Sequence, residues 1–205
     1  MTGNTSQLSS EVSSTDLNDI LFFGAIILSF VAGAIMARII VLWGIIHNIR
    51  LVFCQILLVE GLLLTGVSCY EMYFHALTTN REIIIFLCGL MGIHNSTSTQ
   101  LSGGRVRSTH ITGTLTDAGI SLASVLVAML RRDYSKDTAA QKSQLKTHLT
   151  TIFSFITGGI AGLILFRWIG FNAMLALGVM LVVVAAFSII STSVRVRRVR
   201  AAFSR

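Results

Sequence analysis

Long apolar runs separated by short polar stretches set the plan of this chain. After a polar, acidic opening over Met1–Asp19, the stretch Ile20–Ala37 carries no charge, and with Arg38 snorkelling it extends to Trp43. Leu51–Tyr70 is a second apolar run, interrupted by Gln55 and Glu60 and bounded by Arg50 and Glu71. Leu149–Phe166 and Ile169–Val194 are two more, joined by Arg167-Trp168-Ile169-Gly170, which reads as a tight turn. Each run is close to the roughly 20 residues that a helix needs to cross hydrocarbon. A backbone in lipid must satisfy its own hydrogen bonds, so each run is predicted to be a transmembrane helix. Thr15 or Asp16 is a plausible cap for the first.

The middle of the chain departs from this plan. Ile83–Ile93 is apolar for eleven residues and Ala118–Leu130 for thirteen. Around and between them lies Met91–Gly119, rich in Ser, Thr and Gly. To cross, the first run must recruit His94, Asn95, Ser96 and Thr97, and the second Ile111–Asp117. Either two full helices carry polar ends into the bilayer or two half-helices meet at depth. Shortened, Gly-interrupted segments of this kind point to binding sites in carriers. The expected fold is an all-α polytopic bundle of about six membrane segments, forming one integral membrane domain over residues 1–205. Met1–Asp19 is a polar N-terminal segment, Arg131–His148 a charged loop and Arg195–Arg205 a basic tail.

Composition agrees. The chain is 53% hydrophobic and 12% charged, against roughly a quarter charged in soluble domains. The net charge of +7 sits in the loops and tail, where the positive-inside rule accounts for it before nucleic acid does. The bilayer is therefore the expected partner and nucleic acid is not. Placing the tail inside also puts Arg81 and the Arg131–His148 basic residues inside. Arg38, Arg50, Arg105, Arg107 and Arg167 then lie on the outer side or at depth. Met1–Asp19 has no secretory signal character, so the first span is expected to direct insertion. Cys54, Cys69 and Cys88 lack C-x-x-C spacing and read as small buried hydrophobes. There is no proline, so helix breaks fall to Gly, Asn, Ser or Thr.

A phrase recurs. Ser29-Phe30-Val31-Ala32-Gly33 reappears as Ser154-Phe155-Ile156-Thr157-Gly158, and Trp43 follows the first copy at the offset at which Trp168 follows the second. Upstream stand Met1-Thr2-Gly3-Asn4-Thr5 and Ile111-Thr112-Gly113-Thr114-Leu115. Two imperfect parallel repeats are the expectation, and carriers commonly place sites between repeats. In the second copy the Thr-Gly phrase follows the segment Ile83–Ser96; in the first nothing precedes Met1, so the chain reads as beginning one helix late.

Met1-Thr2-Gly3-Asn4, then Met91-Gly92-Ile93-His94-Asn95, then Ser108-Thr109-His110-Ile111-Thr112-Gly113-Thr114-Leu115-Thr116-Asp117 carry a resemblance. The chain resembles the YoaK-like family of bacterial inner-membrane proteins, domain of unknown function 1275. The resemblance implies a polytopic helical inner-membrane protein and supplies no activity, substrate or catalytic residue. It departs from the family in lacking the first helix, which there carries a Gly-x-x-Asp motif.

Asp117 and Glu60 are ionisable groups at expected membrane depth. A charge at the bilayer centre costs at least about 2.5–3.5 kcal/mol on insertion scales, so such groups usually face the protein interior and often serve proton or ion movement. The alternatives are a helix-surface acid near the interface for Asp117 and a hydrogen-bonded packing residue for Glu60. Asn95, Thr112, Gly113 and Thr114 are candidates for a polar cavity; singly, Asn95, Thr112, Thr114 and Thr116 are better explained by bonds to other helices or to backbone. Gly103-Gly104 with Arg105 and Arg107 could bind an anion, although a solvated turn explains them as well. Gly158-Gly159-x-x-Gly162 is a face suited to close helix packing. His94 and His110 have no paired spacing and read as satisfied structural histidines, so no metal or cofactor is expected, and no motif supports an enzyme or a catalytic residue. The leading expectation is a carrier of an unknown small molecule or ion, with Asp117 and Glu60 as its ionisable groups. The alternative is a membrane scaffold or regulatory protein. Substrate and oligomeric state are not legible.

Overall fold

The computed structural model describes residues 6–10, 17–49, 51–74, 81–104, 110–132 and 135–203. Among them all regular structure is helical. A single helical turn at 6–10 precedes six long helices: α1 Leu17–Ile46, α2 Val52–Phe74, α3 Arg81–Leu101, α4 Ile111–Leu130, α5 Lys136–Ile169 and α6 Phe171–Phe203. All but α3 are long and apolar enough to cross a membrane. Their surfaces are those of lipid-facing helices, with Leu28, Trp168 and Phe187 each more than two-thirds exposed. In water a surface with this many exposed large apolar side chains would be an aggregation liability. Thr15, Asp16, Arg105 and Arg107 lie outside the described residues, so the expected cap and the anion-binding arginines are not placed.

Of the central pair, α4 is long and apolar enough to cross a membrane and α3 is not. Helices α3 and α4 are unbroken and carry the polar residues as helix ends, His94–Leu101 on one and Ile111–Asp117 on the other. Three boundaries differ from expectation. Arg131–His148 is not a loop: α5 begins at Lys136, so its first residues form a polar extension of a membrane helix. The basic tail is likewise helical, since α6 runs to Phe203. Arg167–Ile169 still belong to α5, and the turn there is Gly170 alone.

The chain folds as two compact units, Met1–Thr97 with Leu165–Arg205, and Ser98–Ile164. In the first, Ala37 and Val41 of α1, Val52 and Ile56 of α2, and Ile93 of α3 form the buried core. Glycines set the closest approaches. A methyl group on Gly33 would strike the Gly89 carbonyl oxygen, and one on Gly92 the Phe30 carbonyl oxygen, so α1 and α3 meet backbone to backbone. Ser29 Oγ donates to the Ile85 carbonyl, 2.7 Å away, and Arg81 pairs with Asp19 at 2.7 Å while lying over the Phe22 ring. These contacts run in step from the starts of both helices, so α1 and α3 are parallel. A second crossing joins α2 to α6, where a methyl on Gly61 would fall 2.9 Å from the Val182 nitrogen and one on Gly178 would fall 2.8 Å from the Thr65 nitrogen. Small residues at such crossings are what membrane helices use in place of hydrophobic drive.

Without proline, four helices end at residues with positive φ. Asn48 (φ 54°) closes α1 with Ile49 N–H donating to the Gly44 carbonyl and Asn48 N–H to that of Ile45. Gly103 and Gly104 close α3 with the same pair of bonds, to Gln100 and Thr99, and Gly170 (φ 57°) closes α5 by donating to Phe166. Asn and Gly meet the expectation; Arg132 (φ 53°) does not. A side chain in this region costs about 1 kcal/mol that glycine escapes. Gly170→Ala is therefore expected to lose about 1 kcal/mol and Arg132→Gly to gain about 0.5 kcal/mol, read as opposite shifts in thermal melting in detergent.

The copies of the recurring phrase differ in surroundings. Gly33 is pressed against α3, whereas methyl groups on Gly158, Gly159 and Gly162 would meet nothing within 4 Å. The close packing expected of that glycine face is not made among the described residues.

Candidate functional site

The carboxylate of Glu60 is where the first unit concentrates its polarity. Glu60 stands in mid-α2 and is 5% exposed. Its Oε2 lies 2.9 Å from Nδ1 of His94 on α3, and its Oε1 is buried with no hydrogen-bond partner. The neighbouring Gly61 is what lets α2 press against α6 here, and Thr65 Oγ1, one turn on, is also buried without a partner. Ser68 is fully buried and donates to the Leu64 carbonyl, while Glu71 is 6% exposed. Glu60 and Glu71 are eleven residues apart, three turns of one helix face, so α2 carries a buried polar stripe. Asn95 follows His94 and is half-buried, with its side-chain oxygen enclosed.

A carboxylate facing an imidazole at this distance has one definite chemical capacity. The pair can pass a proton between a buried carboxylate and a half-exposed imidazole, and the bare Oε1 offers a lone pair to a cation or to a donor on a solute.

The second unit holds the other selected residues. Gly104, His110, Gly113, Thr114, Thr116, Asp117 and His148 line a groove of about 340 Å³. Asp117 and His148 also border a second groove of about 630 Å³, with Ser121, Ser143, Gln144 and Thr147. Gly113 has a local reason: a methyl there would strike the His110 ring, which folds over the start of α4. Thr114 is buried, but its hydroxyl donates to the His110 carbonyl, and that of Thr116 donates to the Thr112 carbonyl. These hydroxyls serve their own helix. Thr112 is exposed and lines neither groove; Asp117 is exposed.

The structure thus joins Glu60 to His94 and gathers Gly113, Thr114 and Asp117 with two histidines. Among the described residues no three His, Cys, Asp or Glu side chains are grouped to hold a metal, and the three cysteines are free. Sequence reasoning passed over three participants. His94 read as a structural histidine, Glu71 as a span boundary, and Ser68 went unremarked. The spacing of 60, 68 and 71 on one helix face was the available signal for the last two.

Five helices long and apolar enough to cross a membrane define a multi-pass helical membrane protein. The chain belongs to the DUF1275 family, described as a protein of unknown function, which matches residues 1–187. No curated protein and no solved structure matches it.

Proposed function

We propose that this protein carries a small solute or ion across the membrane, with the Glu60–His94 pair as its proton- or cation-binding element. The observation that carries the reading is Glu60, an acid enclosed among membrane helices with one oxygen on His94 and the other unpartnered. An intramembrane carboxylate that served packing alone would be expected to have both oxygens satisfied. Asp117, bordering two polar grooves, is a second ionisable group through which a solute would pass. The reading is of a YoaK-like protein of the bacterial inner membrane, C-terminus in the cytoplasm, acting without a catalytic centre.

The test is charge movement in reconstituted membranes. Proteoliposomes on a solid-supported membrane are expected to give a transient current on a pH jump. Glu60→Gln should remove it while inserting and folding as wild type, and Asp117→Asn should abolish subsequent solute flux. Wild-type currents no larger than those of protein-free liposomes would end the proposal. A non-transporting scaffold or regulator is the second reading. It draws on the tight α2–α6 crossing at Gly61 and Gly178 beside Glu60, and it expects Glu60→Gln to change stability alone.

A further inference from the structure

The observation begins with the length of α5. Its 34 residues span about 51 Å, whereas the hydrocarbon core is about 30 Å thick and the whole bilayer about 40–45 Å. The apolar part begins at Leu149, so the stretch before it stands at headgroup level. A groove of about 750 Å³ runs along this helix, with Val125 and Met129 of α4 on its other wall. Its volume is within the roughly 300–1,000 Å³ of small-molecule sites. At one end are Lys142 and Lys146, one turn apart on the same face; beyond them come Leu149 and Phe153, and the groove ends at Thr157. Lys142 to Thr157 is about 22 Å along the axis, enough to run from the phosphate layer well into the acyl region.

Charge decides the occupant. No acidic side chain lines this groove, and neither lysine has an acidic partner among the described residues. Two ammonium groups at the mouth of an apolar furrow complement a molecule with an anionic head and a hydrocarbon tail. The turn before α5 adds Arg131 and Arg132, both exposed, and over residues 131–148 five basic residues stand against Asp133 and Asp137, so the net charge of this end is positive. Basic pockets between membrane helices on the cytoplasmic side are where acidic lipid headgroups bind. We propose that the α4–α5 groove is a binding site for an anionic phospholipid, its phosphate held between Lys142 and Lys146 and one acyl chain laid along Leu149, Phe153, Val125 and Met129.

The experiment uses the full chain in detergent, titrated with phosphatidylglycerol or phosphatidylcholine and followed by native mass spectrometry and thermal melting. Phosphatidylglycerol is expected to bind and to raise the melting temperature, phosphatidylcholine much less. Lys142→Gln/Lys146→Gln should weaken phosphatidylglycerol binding about 30-fold, from the contribution of two lysines near an anionic surface. The double variant should melt as wild type in phosphatidylcholine, and Lys142→Arg/Lys146→Arg should restore binding. Inorganic phosphate at matched concentration should do nothing. Equal binding of both lipids, undiminished binding by the glutamine variant, reproduction of the effect by inorganic phosphate, or a protein dimer that excludes the lipid would each overturn the assignment.

Discussion

Gly33→Ala is expected to unseat α3 from α1 and to lower stability by about 2–3 kcal/mol, the upper range for overpacked sites. The added methyl meets the Gly89 carbonyl oxygen and also comes within 3.2 Å of the Ile93 nitrogen. Both are helix backbone, which has no rotamer to change. Relief requires the two helices to part, and parting strips Ser29 of its bond to Ile85 and opens the Ala37–Val41–Ile93 core. Gly24→Ala, on the same helix but with open space around the site, is the control: it should be neutral or slightly stabilising through helix propensity. Unfolding in mixed micelles of denaturing and mild detergent reads both. Equal behaviour of the two variants would show that α1 and α3 do not meet at Gly33.

His94→Ala is expected to cost about 2–3 kcal/mol, because it leaves a buried carboxylate with neither oxygen paired. The asymmetry between removing one partner and removing both gives the decisive comparison. Glu60→Met/His94→Leu should recover most of the lost stability, since an apolar pair of similar volume meets no desolvation penalty. Charge movement on a pH jump should be absent from both variants. A double variant that regains stability yet stays silent separates a working pair from one that only holds helices together. If His94→Ala unfolds no more readily than wild type, the 2.9 Å contact with Glu60 contributes nothing to the fold.

How much of this was legible in the sequence depends on which physical rule was at work. The spans were, because lipid admits few backbone solutions and demands long apolar runs. The ends were less so. Lys136–His148 looks like a loop because its residues are polar, yet propensity is local and Ala139, Ala140, Gln141 and Leu145 favour helix once α5 is nucleated below them. Glu60 was singled out as an acid in mid-span, and the structure buries it. Its partner was not identified, since a bond between residues 60 and 94 depends on the crossing of α2 and α3, and no local pattern encodes that. For Asp117 the alternative of a surface acid matches its exposure, and the Thr114 and Thr116 hydroxyls bond to backbone, one of the two bonding roles the sequence suggested for them.

The split of the first unit between Met1–Thr97 and Leu165–Arg205 has a consequence for biosynthesis. The α2 surface around Gly61 and Thr65 has its mate at Gly178, more than a hundred residues later in translation. At about 5–20 residues per second, α2 waits roughly 6–23 s with that seam unfilled. Ribosomes stalled before α6 should hold nascent chains in which a thiol placed at Thr65 is open to alkylation, and release should close it.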